Sequence, residues 1–284
     1  MHHAALRVIW FVPPALAVAA EQETLPKVRV EGRRTLSSDE QFTALSEGSV
    51  DAAVTSMDNV LHWNQRPGPR DFVIVAQLES TTPLLLIGRP GIGGLQELRG
   101  ADLLVDAPEN GFVIALRALL AEAGLERISY RLTPVGGVRE RFDALLAGQG
   151  AATLLGPPFV SLALAQGLVE LASVQACYPH FPGQGLVVSR SRLERRGLLG
   201  TWLSQLSQAL LRLSENTDDL GAALASQGLP TSAVEAMLAT LPRELVPDPR
   251  GIELLITQRR RLGLVGSNAT YQQIVDTSLL NQVG

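Results

Sequence analysis

Hydroxyl and aromatic side chains stand at the ends of two predicted strands, where α/β sheets hold their ligands. Thr55 and Ser56 end the run "VDAAVTS" with two hydroxyl groups. Trp10 and Phe11 end the run "LRVIWF", and because successive strand residues point to opposite faces, only one of these two rings should face a ligand. Hydroxyl groups near an aromatic ring favour noncovalent recognition of a small molecule with polar groups on a planar or apolar body.

Two residue pairs nearby either cap a helix or contact a ligand. Asp58 and Asn59 directly follow the hydroxyl-bearing strand end. Asn110 precedes Gly111, and an Asn cap followed by a residue without a Cβ lets backbone N–H groups approach a carboxylate, sulfonate or phosphate closely. The neighbouring Glu109 disfavours a strongly anionic ligand. Helix capping by Asp58 and by Asn110 remains the alternative for both pairs.

Further candidates lie in the segments predicted to connect two lobes. Glu79 stands between uncharged segments, where it either receives an amine or ring nitrogen of a ligand or faces water. His180, near Tyr178, is either a ligand contact or a loop residue exposed to solvent. The candidate ligand-binding residues, taken together, are Trp10, Phe11, Pro13, Thr55, Ser56, Asp58, Asn59, Glu79, Ser80, Thr81, Asn110, Gly111, Phe112, Gly156, Tyr178 and His180.

The sequence motifs of common enzyme classes are missing. The chain has no nucleophile elbow, no Walker phosphate loop, no HExxH helix and no paired-cysteine metal spacing. The glycines of Gly91–Gly94 lack the context of a dinucleotide-binding loop. Cys177 and His180 are close enough in sequence to form a thiolate–imidazole pair, although an ordinary thiol is the simpler interpretation. We therefore expect no catalytic residue, no metal and no cofactor.

Short β-like runs alternate with helix-like stretches, which predicts parallel sheets flanked by helices. The predicted strands include Leu6–Phe11, Val28–Gly32, Val50–Thr55, Ser129–Thr133 and Ala151–Leu155. The predicted helices between them include Pro14–Glu23, Ser38–Glu47, Gly111–Gly124 and Arg139–Ala147. After Leu193 the pattern is almost entirely helical, and the expected helices are Leu198–Glu215, Leu220–Ala225, Thr231–Leu241 and Gly251–Leu262.

The composition and charge of the chain limit the kinds of partner that it can bind. The 284 residues are 46% hydrophobic and 18% charged, which fits a globular protein with more than one core. The formal net charge of −4, with both signs mixed along the chain, gives no basic face for nucleic acid. No apolar run approaches the roughly 20 residues of a membrane helix, so we expect no membrane insertion. The single Cys177 excludes an internal disulfide.

Three segments carry a resemblance to a known family. They are "EQFTALSEGSVDAAVTSMDNVL", "LLLIGRPGIGGLQELRGADLLVDAPENGFVIALRALLAEAGL" and "VGGVRERFDALLAGQGAATLLGPPF". Their order and spacing resemble those of the nitrate/sulfonate/taurine-type substrate-binding proteins of ABC transporters, the SsuA-like family, which also contains pyrimidine-precursor binders. The resemblance spans most of Leu6 to Gly266.

The resemblance implies an α/β protein with the two-lobed type II periplasmic binding protein fold. Each lobe would be a helix-flanked, mostly parallel sheet, with the C-terminal helices packed on the first lobe. Residues 1–80 and 184–284 are expected to form lobe I, and residues 81–183 lobe II. The implied function is capture of a small polar organic solute, of the sulfonate, nitrate, taurine or pyrimidine-precursor class, for an ABC importer.

Partners and location follow from the same expectation. We expect a small-molecule ligand, an ABC permease as partner, and a monomer. The site of action is extracytoplasmic if the full gene product carries an export signal, and cytoplasmic otherwise, because the chain reaches its first strand within a few residues. Two alternatives stay open, namely a decarboxylase-like or desulfinase-like enzyme on the same fold, and a ligand-sensing module. An ionisable Cys177, His180 or Glu79 over the cleft would favour the enzyme.

Overall fold

The described residues of the computed structural model, 5–22, 28–109, 111–192 and 196–280, form two five-stranded sheets. The strands in chain order are β1 (Leu6–Trp10), β2 (Val30–Arg34), β3 (Ala52–Ser56), β4 (Phe72–Gln77), β5 (Leu85–Gly88), β6 (Asp102–Val105), β7 (Arg131–Pro134), β8 (Ala152–Leu155), β9 (Val169–Ser173) and β10 (Gln184–Ser189). The first sheet has the order β2-β1-β3-β10-β4, and the second sheet has the order β7-β6-β8-β5-β9. Each strand of the first sheet therefore has a counterpart at the same position in the second sheet, for example β1 and β6, or β3 and β8.

Each sheet is parallel except for one strand. In the first sheet β10 runs antiparallel to both β3 and β4, and in the second sheet β5 runs antiparallel to both β8 and β9. Each antiparallel strand is the first one that the chain forms after it crosses from one sheet to the other. Strand β5 follows the crossing from β4, and β10 follows the crossing from β9. The expected helix-flanked, mostly parallel sheets are confirmed, and the strand order is that of a doubly wound α/β fold.

Helices cover the sheets and connect the strands. In chain order they are α1 (Ala15–Ala20), α2 (Ser38–Glu47), α3 (Asp58–Trp63), α4 (Val113–Glu122), α5 (Val138–Leu146), α6 (Phe159–Ala165), α7 (Val174–Cys177), α8 (Arg196–Glu215), α9 (Asp218–Ala225), α10 (Thr231–Leu238), α11 (Pro249–Arg261) and α12 (Tyr271–Ile274). The bounds predicted for α2 are confirmed. It begins where the Ser37 hydroxyl accepts the Glu40 N–H at 3.1 Å and ends at Gly48, whose φ of 73° is left-handed.

Two hydrophobic cores lie on opposite faces of the first sheet. Ile9 and Ala53 contribute to one core, whereas Val8 and Val54 contribute to the other, as the alternation of strand side chains requires. Because both faces of this sheet are buried, β1 and β3 carry apolar side chains on both faces. On the face of Ile9, the rings of Phe42, Trp63 and Phe72 pack with centroids 5.6–6.1 Å apart.

The C-terminal helices pack mainly beside the first sheet. Helix α8 lies against α1, and its buried side chains, such as Trp202 and Leu206, join the core that contains Val8. The expected helical segment on the first lobe is thus present. Helices α10 and α11 also contact α6 and α4, which flank the second sheet. The C-terminal segment therefore touches both halves of the molecule.

The two segments that connect the sheets run side by side. The N–H groups of Leu78 and Glu79 both donate to the carbonyl of Gln184, at 2.9 and 3.2 Å, and the Thr81 hydroxyl donates to the carbonyl of Phe181 at 2.9 Å. A Cβ on Gly183 would lie 2.6 Å from the Glu79 Cβ and 2.8 Å from its carbonyl oxygen. Only glycine fits this close approach, so the crossing segments form one compact unit.

Candidate ligand-binding cleft

A cleft between the two sheets is lined from both sides. It encloses about 770 Å³ of empty space, counting the part open to solvent. The lining from the first half of the molecule is Phe11, Val12, Ser38, Thr55, Ser56, Asn59 and Gln184. The lining from the second half and the crossing segment is Thr82, Leu84, Leu104, Val105, Asp106, Gly111, Phe112, Val113, Leu116, Val138, Arg141, Leu154, Gly156 and Pro157. The cleft thus lies where the carboxyl ends of the parallel strands converge, as expected for this topology.

Seven of the predicted ligand-binding residues line this cleft. They are Phe11, Thr55, Ser56, Asn59, Gly111, Phe112 and Gly156. The alternation argument for the first strand also matches the structure, because Phe11 faces the cleft while Trp10 is 7% exposed within a core, close over Gly32. The rule that ligands bind at the carboxyl ends of the strands therefore identified cleft residues that are far apart in the sequence.

Most of the other predicted residues lie outside the lining. Pro13, Ser80 and His180 are exposed, and Thr81 and Tyr178 are partly buried. Burial raises the pKa of the Tyr178 hydroxyl to about 12, so this group stays protonated at neutral pH. Asn110 lies outside the described residues. Helix α4 begins at Val113 after Phe112, and neither flanking residue forms a side-chain cap.

Asp58 neither caps a helix by its side chain nor lines the cleft, because it forms a buried ion pair. Its two carboxylate oxygens accept from Nε and Nη2 of Arg259 at 2.6 and 2.5 Å, and both side chains are fully buried. The same guanidinium donates to the carbonyls of Val265 at 2.7 Å and Glu109 at 3.3 Å. Arg259 therefore joins α3, α11 and the segment before α4.

A carboxylate from the second half of the molecule reaches across to the start of α2. The Asp106 Oδ2 accepts the backbone N–H of Ser38 at 3.1 Å and also the Ser38 hydroxyl. Nearby, Arg34 pairs with Glu140, again joining the two halves. The backbone N–H groups at the start of a helix favour an anion, and here Asp106 supplies it. These contacts join the two sides of the cleft.

Arg141 is the cation of the cleft. Its Nη1 donates to the Thr153 hydroxyl at 3.0 Å and to the carbonyl of Leu154, whereas its buried Nε has no hydrogen-bond partner. Burial lowers the pKa of the guanidinium, and the charges of Asp106 and Glu140 oppose this shift. Arginine titrates far above neutral pH, so Arg141 remains charged and retains a free donor.

Glu79 is buried just behind the cleft, where it contacts two residues of the lining. Its carboxyl accepts hydrogen bonds from the Thr82 hydroxyl and from Nε2 of Gln184, the latter at 2.9 Å. Burial raises the pKa of this carboxyl, while the hydrogen bonds from Thr82 and Gln184 partly offset the shift. Glu79 therefore links the two crossing segments through its side chain as well as its backbone.

The ionisable groups that would favour an enzyme do not line the cleft. Cys177 and His180 are both exposed. Within the described ranges no cluster of His, Cys, Asp or Glu is arranged to hold a metal ion. Over the same part of the chain, no helix combines the length and the apolar character needed to cross a bilayer.

Sequence reasoning missed several polar residues of the lining, above all Ser38, Asp106 and Arg141. Asp106 directly follows β6, so the strand-end rule would have found it had it been applied to that strand. Ser38 was recognised only as part of a helix start. Arg141 lies on α5, where neither spacing nor residue type distinguishes a cleft arginine from a solvent-exposed one.

Comparisons with known proteins give the fold a name. The chain is similar to the alkanesulfonate-binding protein SsuA from Xanthomonas axonopodis pv. citri bound to MOPS, with 19% identity, a TM-score of 0.75 and coverage of 96% of this chain and 98% of that one. The chain has the periplasmic binding protein fold. No family model matches the sequence, and no curated protein matches it.

Two further structures with this fold extend over nearly the whole chain. One is the periplasmic nitrate-binding protein NrtA from Synechocystis PCC 6803, with 11% identity, a TM-score of 0.78 and coverage of 99% of this chain and 88% of that one. The other is the zinc-bound ligand-binding component of an ABC-type import system from Staphylococcus aureus, with 14% identity, a TM-score of 0.77 and 99% coverage of both chains. At these identities the likeness establishes the fold, as the resemblance predicted.

Proposed function

We propose that this protein is a substrate-binding receptor that captures a small polar organic solute between two lobes for an ABC importer. The cleft lined from both sheets is the observation that carries the proposal, because a ligand that contacts both sides stabilises the closed arrangement. The sulfonate-binding, nitrate-binding and import-system proteins named above support it. The role places the protein outside the cytoplasm, with a permease as its partner.

The proposal includes a division of the chain into lobes. We assign residues 1–80 and 184–284 to lobe I and residues 81–183 to lobe II. The hydrogen bonds between the two antiparallel crossing segments support boundaries near Glu79 and Gln184. Seven predicted residues become proposed ligand contacts, namely Phe11, Thr55, Ser56, Asn59, Gly111, Phe112 and Gly156.

A binding experiment tests the receptor role. Taurine, alkanesulfonates, nitrate, carboxylates, pyrimidines and aromatic acids are screened by the rise in melting temperature, and each hit is recovered and analysed chemically. We expect a saturable rise with the compound unchanged, because a ligand that binds only the native state raises stability. Conversion of the hit into a product would instead establish an enzyme.

Variants on both sides of the cleft make the test specific. Ser56→Ala and Phe112→Ala each remove lining atoms, one from each half, and each should weaken binding of the hit roughly tenfold, or about 1.4 kcal/mol. Ile128→Ala is the control, since Ile128 is 91% exposed and does not line the cleft. Titration calorimetry gives the dissociation constants. Equal affinities for all three variants and the parent would reject this cleft as the binding site.

A further inference from the structure

A chain of hydrogen bonds fixes which end of the Asn59 amide faces the cleft. The Gln41 Nε2 donates to the carbonyls of Val54 at 3.0 Å and Ile9 at 3.4 Å, so its Oε1 must face Thr55. That oxygen accepts the Thr55 hydroxyl proton at 2.7 Å, which leaves the Thr55 oxygen to accept from Asn59 Nδ2 at 2.6 Å. The Oδ1 atom is therefore the end of the Asn59 amide that takes no part in this chain of hydrogen bonds.

The orientation of Asn59 has a direct consequence for a ligand. Its Oδ1 is buried without a hydrogen-bond partner, and Asn59 lines the cleft. A Cβ on Gly111 would stand 3.5 Å from this oxygen, so the glycine keeps a side chain out of the space beside it. A buried acceptor without a partner is unfavourable, and a ligand N–H would satisfy it. The first side of the cleft thus requires a donor.

The opposite side of the cleft requires an acceptor. The Thr153 hydroxyl donates to the carbonyl of Leu104 at 2.8 Å, so its oxygen is free to accept from Arg141 Nη1. This arrangement anchors the guanidinium and leaves Nε buried without a partner. A carbonyl-type oxygen on the ligand would satisfy this donor.

Charge limits the ligand further. Asp106 and Arg141 are the ionisable residues among those that line the cleft, and their charges cancel. The start of α2, which would otherwise attract an anion, is already occupied by the Asp106 carboxylate. A charged ligand would therefore add an uncompensated charge to a mostly apolar site, which is strongly unfavourable.

We propose that the cleft selects an uncharged molecule that carries an N–H donor for Asn59 Oδ1 and a carbonyl-type oxygen for Arg141 Nε on an apolar frame. Carboxamides, ureas and lactams belong to this chemical class. The inference rests on the proposed receptor function and specifies its substrate. Phe11, Leu84, Phe112 and Leu154 supply apolar surface for the frame.

Matched acid and amide pairs test the inference. Benzamide and benzoate, isovaleramide and isovalerate, and methanesulfonamide and methanesulfonate are compared at millimolar concentration by ligand-observed NMR and by calorimetry. The uncharged member of the carboxamide pairs should bind at least tenfold more tightly than its acid. N,N-dimethylbenzamide, which keeps the carbonyl but lacks the N–H donor, should lose at least tenfold relative to benzamide.

Two arginine variants on one helix provide the matched control. Arg141→Lys keeps the positive charge but removes the Nε donor, and it should weaken amide binding at least tenfold. Arg139→Lys changes an exposed arginine on the same helix and should leave the affinity unchanged.

Each result discriminates between the two proposals. If an acid binds saturably and more tightly than its amide, the inferred preference for an uncharged ligand is wrong, while the receptor function stands. Equal binding of benzamide and its dimethyl derivative overturns the donor requirement. Absence of binding by every compound of both charge types, while taurine, nitrate or a pyrimidine binds, contradicts the inference alone. Absence of binding by these compounds as well contradicts the receptor function, and so does conversion of a bound compound.

Discussion

The two sheets have matching strand orders, yet they present different chemistry to the cleft. The first sheet and its helices contribute uncharged groups, such as Thr55, Ser56 and Asn59, whereas the second contributes the charged pair Asp106 and Arg141. Equivalent positions at the strand ends therefore carry unlike side chains. The comparison teaches that topology determines where a ligand binds, while the individual side chains that line the cleft, on strand ends and on the flanking helices, determine what binds.

The largest expected effect is a loss of stability on breaking a buried ion pair beside the first sheet, compared with breaking an exposed ion pair on the second sheet. Asp58→Ala leaves the fully buried Arg259 without its counterion and should lower the free energy of unfolding by about 3–5 kcal/mol. Asp102→Ala removes the partner of Arg131, whose pair with Asp102 is exposed, and should have a much smaller effect. Urea denaturation measures both. Similar losses for the two variants would show that burial does not distinguish the pairs.

A smaller effect is expected when a glycine in a crossing segment is compared with a glycine in helix α8. Gly183→Ala would force a Cβ to within 2.6 Å of the Glu79 Cβ, and it should destabilise the protein by about 1–3 kcal/mol. Gly200→Ala in α8 meets no atom within 4 Å and should stabilise by about 0.5–1 kcal/mol, since alanine favours helix. Thermal unfolding of both variants tests this difference. A neutral Gly183→Ala variant would mean that the crossing segments separate without cost.

The smallest effect concerns the pH dependence of two glutamates. Burial raises the pKa of Glu79 above its ordinary value of 4.5, so the folded protein retains a proton that the unfolded chain has released. This contribution to stability is fully present below pH 4.5 and is lost as the pH rises through the folded-state pKa. Glu79→Gln should remove that decline, as measured by urea denaturation across the pH range.

Glu140 in the second half provides the opposite case. Burial opposes the shift, but the hydrogen bond from Arg34 lowers the pKa of Glu140 below 4.5. Its contribution is present above pH 4.5 and is lost as the pH falls through the folded-state pKa. Glu140→Gln should therefore be less stable than the parent at neutral pH, with the difference vanishing in acid. Parallel pH profiles for the two variants would contradict both assignments.

The sequence predicted the alternating elements well because their signals are local. The helix Ser38–Glu47 is flanked directly by its cap, Ser37, and by its terminal glycine, Gly48, and the strand ends at Phe11 and Ser56 carry cleft residues. Asp58 shows the limit of such reasoning. Its partner Arg259 lies 201 residues away, so no local pattern could distinguish a buried ion pair from a cap or a ligand contact. Arg141 was missed because its role depends on Thr153 and Leu154 from β8, which pack beside its helix.

The antiparallel strand in the first sheet also bears on the order in which the molecule folds. Among the described strands of that sheet, β4 is paired with β10, which lies more than 100 residues further along the chain, and its one further bridge, from Ile74, is to the still more distant Val275. All strands of the second sheet, in contrast, lie between Leu85 and Ser173. The second sheet can therefore assemble from one continuous stretch of chain, whereas β4 cannot form its pairing until β10 is present. The half that comes first along the chain is thus completed last, because its central pairing closes a longer loop than any pairing in the second sheet.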